Sequence, residues 1–171
     1  MEILLLTKKA QVFTIDFVLA SFILMIIILT FLYLWNFLGV RWNNINEYNK
    51  QYAIGLFATE SLVTNAGNPP SWENLETINQ NTSFGLVNER NIINQQKLDR
   101  LRNVSLQNYS LFKERLGATN YELFINVTNM NRNVSFYVMG NASLQLNETV
   151  AFDRFIFFNG SISILRLEIW K

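Results

Sequence analysis

The sequence predicts an α+β chain: one long N-terminal helix that starts as a membrane span, then a small head of one or two short helices and an antiparallel sheet of about four strands. Three observations carry this. Residues 17–40 contain no charged side chain. No proline interrupts residues 12–68, and apolar residues keep a helical period beyond the uncharged run. From about residue 121 the apolar residues alternate, as on half-buried strands.

The uncharged run comes first. As a helix, its 24 residues are about 36 Å long, enough to cross a hydrocarbon layer of about 30 Å with some tilt. A buried core helix is the other reading of such a run. The remaining chain suits one compact domain of roughly 110 to 130 residues, and a core of that size cannot surround such a rod. Lys8 and Lys9 precede the run and Arg41 is the first charge after it, a slight basic bias that places the N-terminus in the cytoplasm and the head outside. The formal net charge of +1 gives no field directed at nucleic acid, and none is expected as a partner. Cysteine and histidine are both absent. There is therefore no disulfide framework or thiolate metal site, and the commonest general base and metal ligand are missing.

The segment before the run is Lys8-Lys9-Ala10-Gln11, then Val12-Phe13-Thr14-Ile15-Asp16-Phe17. An ordinary secretory signal has an apolar core of about 7–15 residues and a small-residue cleavage site, and neither is present. A carboxylate at the mouth of a membrane helix is costly to bury and needs a partner. These residues resemble the class III signal peptide of archaeal type IV pilin-like proteins. The resemblance implies that a prepilin peptidase removes a basic leader, residues 1–10, on the cytoplasmic side. The apolar helix is kept, anchors the subunit, and later packs against like or related subunits in a filament core. It also implies that Asp16 pairs with a neighbouring subunit's free amine. Cleavage between Ala10 and Gln11 gives a small residue before the cut and glutamine after it, with Asp16 at the sixth mature position. Cleavage after Gln11 restores the fifth position, and an uncleaved signal anchor is the further alternative.

The division that follows is 11–42 for the membrane and filament-core helix, 43–66 for its amphipathic continuation, and 67–171 for the head. Ile45, Tyr48, Tyr52, Leu56 and Val63, with Ala53 and Phe57, form the expected apolar stripe of the continuation. Gly39 and Gly55 are expected bends, and Gly67 with Pro69 and Pro70 stops the helix. A stick-and-head shape is what the resemblance implies.

Within the head, residues 66–93 read as mostly irregular, with Trp72 packing the loop onto the helix. Residues 95–116 read as helical, split at Asn103-Val104-Ser105 if at all, and ended by Gly117. Tyr121, Leu123, Ile125 and Val127 mark one strand, and Val134, Phe136 and Val138 a second. Asn159-Gly160 is a two-residue hairpin signal. Counting outward sets Phe158 against Ser161, Phe155 against Ile164, Asp153 against Arg166, and Val150 against Ile169. The apolar side changes near residue 154, which predicts a bulge or strong twist.

Asn-x-Ser/Thr occurs at Asn81, Asn103, Asn108, Asn126, Asn133, Asn141, Asn147 and Asn159. Chance placement of 23 Asn and 20 Ser or Thr along 171 positions gives about three such sequons, and all eight lie beyond residue 80. That excess marks glycosylation of an exported head, set against by-products of an Asn-rich sequence. Asn126 and Asn133 are expected to face outward. No Ser-His-Asp set, phosphate loop or metal cluster is visible, so no catalytic residue, cofactor or metal is expected. The carboxylates Glu73, Glu76, Glu114, Glu122, Glu148, Asp153 and Glu168 read as solvated or paired rather than as an acid–nucleophile couple. Arg154 reads as the partner of Asp153 or of a glutamate.

Overall fold

The computed structural model describes the backbone of residues 2–142 and 149–171, and side chains from residue 15 onward outside the 143–148 segment. The chain divides into two compact units, Met1–Asn46 and Glu47–Lys171. Helix α1, Glu2–Thr64, contributes to both. It ends where the sequence places the stop: Asn65 N–H still reaches the Ser61 carbonyl, and Gly67 then turns at φ 88°.

The second unit is α+β, with six strands rather than about four: β1 Val87–Glu89, β2 Ile92–Ile93, β3 Glu122–Asn129, β4 Ser135–Gly140, β5 Val150–Phe158 and β6 Ser161–Trp170. Their order is β1-β2-β5-β6-β3-β4. The sheet is mixed and not purely antiparallel, because β2 runs parallel to β5. The two extra strands come from residues expected to be irregular. They are too short to show a period in the sequence, and β1 carries a register break.

Two helices follow β2: α2 Gln95–Gln107 and α3 Tyr109–Arg115. The break falls at Asn108, not at residues 103–105. Asn94 caps α2, its side-chain oxygen accepting from the N–H groups of Gln96 and Lys97, and Asn108 caps α3 by accepting from Leu111 N–H. Gly117 closes α3 at φ 75°.

One face of the sheet is the core. Val150, Phe152, Ile156 and Phe158 of β5 bury on it beside Ser163, Leu165, Leu167 and Ile169 of β6 and Leu123, Ile125 and Val127 of β3. Within this unit the 47–64 part of α1 lies on that face. It does so only partly by the expected stripe. Val63 is buried and Leu56 packs against the core, but Gln51, Gly55, Ala58, Thr59 and Leu62 are buried too, whereas Tyr48, Tyr52 and Phe57 stay largely exposed, Tyr52 with its ring 5.3 Å from that of Phe152. The reason is distance. A Cβ on Gly55 would collide with the Phe152 ring, so the helix comes closest to the sheet at its smallest residue. Gly55 serves close approach; α1 runs through Gly39 and Gly55 as one helix element.

The closing hairpin has the counted register throughout, from Val150 opposite Ile169 to Phe158 opposite Ser161. Asn159 and Gly160 turn it with φ 51° and 75°. The expected bulge near residue 154 is absent from the β5–β6 ladder. Arg154 occupies the core face between Phe152 and Ile156 and reaches Glu60 of α1 at 2.8 Å, while Phe155 and Phe157 lie exposed on the other face. A paired cation on the core side made the pattern look as if it changed faces. In β4, Tyr137 and Met139 are buried because they pair with Val127 and Ile125 on the core face, while Phe136 and Val138 of β4 and Val134 before it are exposed; the register shifts only beyond Val127, between it and Thr128.

Trp72 is fully buried and belongs to the core of the head. Its ring lies 4.9 Å from Phe84, its indole N–H donates to the Gly85 carbonyl at 2.8 Å, and a side chain on Gly67 would collide with it.

Candidate functional site

In the first unit, every large apolar side chain described between Ile15 and Ile45 is exposed, from Ile26 and Leu34 at 49% to Trp42 at 73%. The helix is long and apolar enough to cross a membrane. Its two hydroxyl side chains fit an apolar solvent. Ser21 Oγ donates to the Phe17 carbonyl and Thr30 Oγ1 to the Ile26 carbonyl, each at 2.8 Å, so neither hydroxyl is left unpaired. Tyr33, Trp35 and Trp42 gather near Arg41, the arrangement favoured at a membrane–water boundary. Asp16 stands at the other end of the uncharged run, exposed and with no hydrogen bond or ion pair among the described residues. Lys8, Lys9, Ala10 and Gln11 fall within the bounds of α1, and their side chains lie outside the described residues.

Compared with known proteins, the chain matches no family model, no curated protein and no solved structure.

The sequons scatter over the second unit. Asn81, Asn103, Asn108, Asn133, Asn141 and Asn159 are exposed, and Asn126 is half-buried. Asn147 lies outside the described residues. Asn126 does sit on the outer face of β3, level with Arg166, but its side-chain oxygen is buried without a partner. Asn133 lies in the β3–β4 turn, where its side chain bonds that of Asn129. Asn141 donates to Glu122 at 3.0 Å.

Of the carboxylates expected to be solvated or paired, Glu114, Glu122, Asp153 and Glu168 are held by cations, whereas Glu73 departs from the expectation, its Oε2 being buried with no hydrogen-bond partner among the described residues. Glu122 receives Lys113 Nζ at 2.7 Å and the Tyr109 hydroxyl at 2.8 Å. Burial pushes its carboxyl up, and the bonds from Lys113, Tyr109 and Asn141 outweigh that, leaving it below the ordinary glutamate value. Burial, with the Glu122 contact, pushes the Tyr109 hydroxyl up to about 12. Asp153 is shared by Arg132 at 2.7 Å and Arg166 at 3.6 Å, and Arg166 also bonds Glu168. Glu114 touches Arg115. These are surface and edge pairs of low energetic weight. Glu148 lies outside the described residues.

Two features were missed in the sequence. Lys97 is buried to 1% exposure and donates to the Ala66 and Val87 carbonyls at 2.7 and 3.2 Å, tying the end of α1 to β1. Burial lowers its ammonium below the ordinary lysine value, Glu73 opposing. Its position one turn into a helix beside Leu98 and Leu101 was the available sign. The second is a polar hollow beside α2, formed in part by Gln95, Asp99 and Arg102. Their spacing of four and three residues along one helix face was legible, but such a face reads as simply solvated.

Proposed function

We propose that this chain is a pilin-like structural subunit, major or minor, of an archaeal type IV pilus-like surface filament. It is held in the cell membrane by the 17–40 helix before assembly, with its N-terminus in the cytoplasm and its head outside. The observation that carries the reading is a 24-residue uncharged helix with its apolar side chains exposed all round and, at its start, a carboxylate, Asp16, that has no partner among the described residues. A helix apolar on every face requires lipid or other apolar helices as solvent. A lone carboxylate there requires a cation, which the amine freed by prepilin peptidase on a neighbouring subunit supplies. Further support comes from Tyr48, Tyr52 and Phe57, which stay exposed in the second unit and extend an apolar surface for sister subunits.

A second reading keeps the anchor but not the filament: a permanently anchored extracellular binding or adhesion protein. One observation favours it. The outer face of the sheet exposes Ile92, Phe155, Phe157 and Ile162 on three neighbouring strands. An uncovered apolar patch of that kind marks an interaction surface.

Sequencing the mature N-terminus from the membrane and surface fractions tests the first reading. A start at Gln11 or Val12 is expected; mature protein that retains Met1 overturns it. Asp16→Lys then separates the two readings. Filament yield collapses under the first, while digestion of the head by external protease persists under both. Unchanged filaments in this variant remove the assembly role of Asp16.

A further inference from the structure

The hollow beside α2 has a volume of about 260 Å³. Gln95, Asp99 and Arg102 line it from α2 and Tyr137 from β4, and the hairpin residue Asn159 completes its rim. Under these polar groups lie Phe136 and Phe158, with ring centres 5.7 Å apart, and Tyr137 meets Phe158 edge-on at 5.9 Å. The Tyr137 hydroxyl donates to Asp99 Oδ1 at 2.6 Å and is pushed up to about 12 by burial and that bond, so it is a neutral hydroxyl at any physiological pH. The Arg102 guanidinium and the Asn159 amide have no hydrogen bond or ion pair among the described residues. The site thus gathers a carboxylate, a free guanidinium, a carboxamide and a phenol in a space of about one pyranose ring. This is the donor and acceptor set that a polyhydroxylated ring needs.

Asn159 is itself a sequon residue, followed by Gly160 and Ser161, and it is exposed at the tip of the β5–β6 hairpin. Its turn holds it at φ 51°, a left-handed conformation that asparagine adopts readily. We propose that Asn159 carries an N-linked glycan whose first sugar seats in this hollow, against Asp99 and Arg102. Attachment forms a bond from Asn159 Nδ2 to the anomeric carbon of a lipid-phosphate-linked sugar. It breaks that carbon's bond to the phosphate oxygen, releases the lipid phosphate and one amide proton, and leaves Oδ1 free to accept. Tethering by one covalent bond to a rim residue makes docking intramolecular, so the weak affinity of a single sugar suffices. The proposal rests on the head being exported, and it adds a structural task for one particular sequon.

The test uses the full chain, purified in detergent from the native host. Glycopeptide mass spectrometry is expected to find Asn159 occupied. Arg102→Ala, which removes a side chain with no hydrogen bond or ion pair among the described residues, is expected to lower the melting temperature of the glycosylated chain by about 2–8 °C. The same substitution in an Asn159→Gln background is expected to give a clearly smaller shift, that of its electrostatic contact with Tyr137 alone. Equal shifts in both backgrounds overturn the proposal, because Arg102 then acts without the sugar. A bare Asn159 overturns it too. Glycans found at Asn81 or Asn103 with Asn159 bare overturn this assignment and leave the exported head standing. A head sheltered from external protease overturns both. Saturation-transfer NMR of the Asn159→Gln chain with a free hexose and a free N-acetylhexosamine separates the two sources of sugar. Binding of either with Asn159 unoccupied in the native chain assigns the hollow to an external sugar, against the proposal.

Discussion

One helix in this chain meets two environments, and it is built differently for each. Along residues 17–40 it is apolar on every side, with Phe, Ile, Leu and Trp all exposed. Along residues 47–64 it buries Gln51, Gly55, Ala58, Thr59, Leu62 and Val63, comes closest to the sheet at Gly55, and leaves Tyr48, Tyr52 and Phe57 largely exposed. Hydrophobicity on every side marks a stretch fit for an apolar solvent. Smallness marks where a neighbouring backbone comes close. Within a single domain core these two signals usually coincide; here they separate.

The strongest way to break that comparison is to cut an aromatic ring from each of the two units. Trp72→Ala removes a buried ring and strands the Gly85 carbonyl, and it is expected to cost about 3–5 kcal/mol of head stability. Phe31→Ala removes a ring that is 60% exposed in the first unit. The head's thermal unfolding, followed by near-ultraviolet circular dichroism in detergent, is expected to stay unchanged. A comparable loss in both variants would mean that the apolar run contributes to the head's core, contrary to the division drawn here.

A finer version compares the two glycines of α1. A Cβ at position 55 collides with the Phe152 ring and comes within 3.2 Å of Ile169, both buried side chains with little room to move. Gly55→Ala is expected to destabilise the head by about 1–3 kcal/mol. A Cβ at position 39 meets nothing within 4 Å. Gly39→Ala is expected to leave the head's denaturation midpoint in place while favouring the helix by about 0.5–1 kcal/mol. Equal midpoints for the two variants would show that position 55 is not a close contact.

Particular residues also show how much of this was legible beforehand. The Asn159-Gly160 turn permits only a short list of backbone conformations, so the register of the last two strands followed by counting. The helix stop at Gly67 is likewise local chemistry. The packing face of residues 47–64 was not legible. The choice between the Tyr48–Tyr52–Phe57 side and the Gly55–Ala58 side is made by a sheet more than ninety residues away in sequence. Arg154 misled for the same reason, since its partner Glu60 lies on α1 and not on a neighbouring strand. Strands β1 and β2 are held by a parallel contact to β5 and by Asn91, whose N–H reaches the Val63 carbonyl, rather than by any period of their own. For the site, the uncharged run and Asp16 were plain in composition. The α2 hollow needed the fold, because Asn159 and Asp99 are brought together only by the closing hairpin.

The smallest effect separates buried polar groups from the apolar helix through pH. Tyr109 and Tyr137 are both held near 12 in the head, about two units above an unfolded tyrosine. Between pH 10 and 12 the unfolded chain releases those protons and the folded chain keeps them. Stability contributed by the raised values is therefore complete below pH 10 and is lost as pH climbs towards 12. Lys97 works in the opposite direction, since its lowered value favours the folded state increasingly up to the unfolded lysine value of 10.5; above that pH the two tyrosines and Lys50, whose ammonium is raised by its bond to Glu47, set the slope. Tyr137→Phe removes one of the two groups. It is expected to start about 1 kcal/mol less stable at pH 8, through loss of the bond to Asp99, and to lose stability less steeply between pH 10.5 and 12. Urea midpoints at half-unit pH intervals measure both. Parallel alkaline slopes in the two proteins would show that Tyr137 ionises as freely as an exposed phenol, and that the β4–α2 contact is looser than its 2.6 Å hydrogen bond implies.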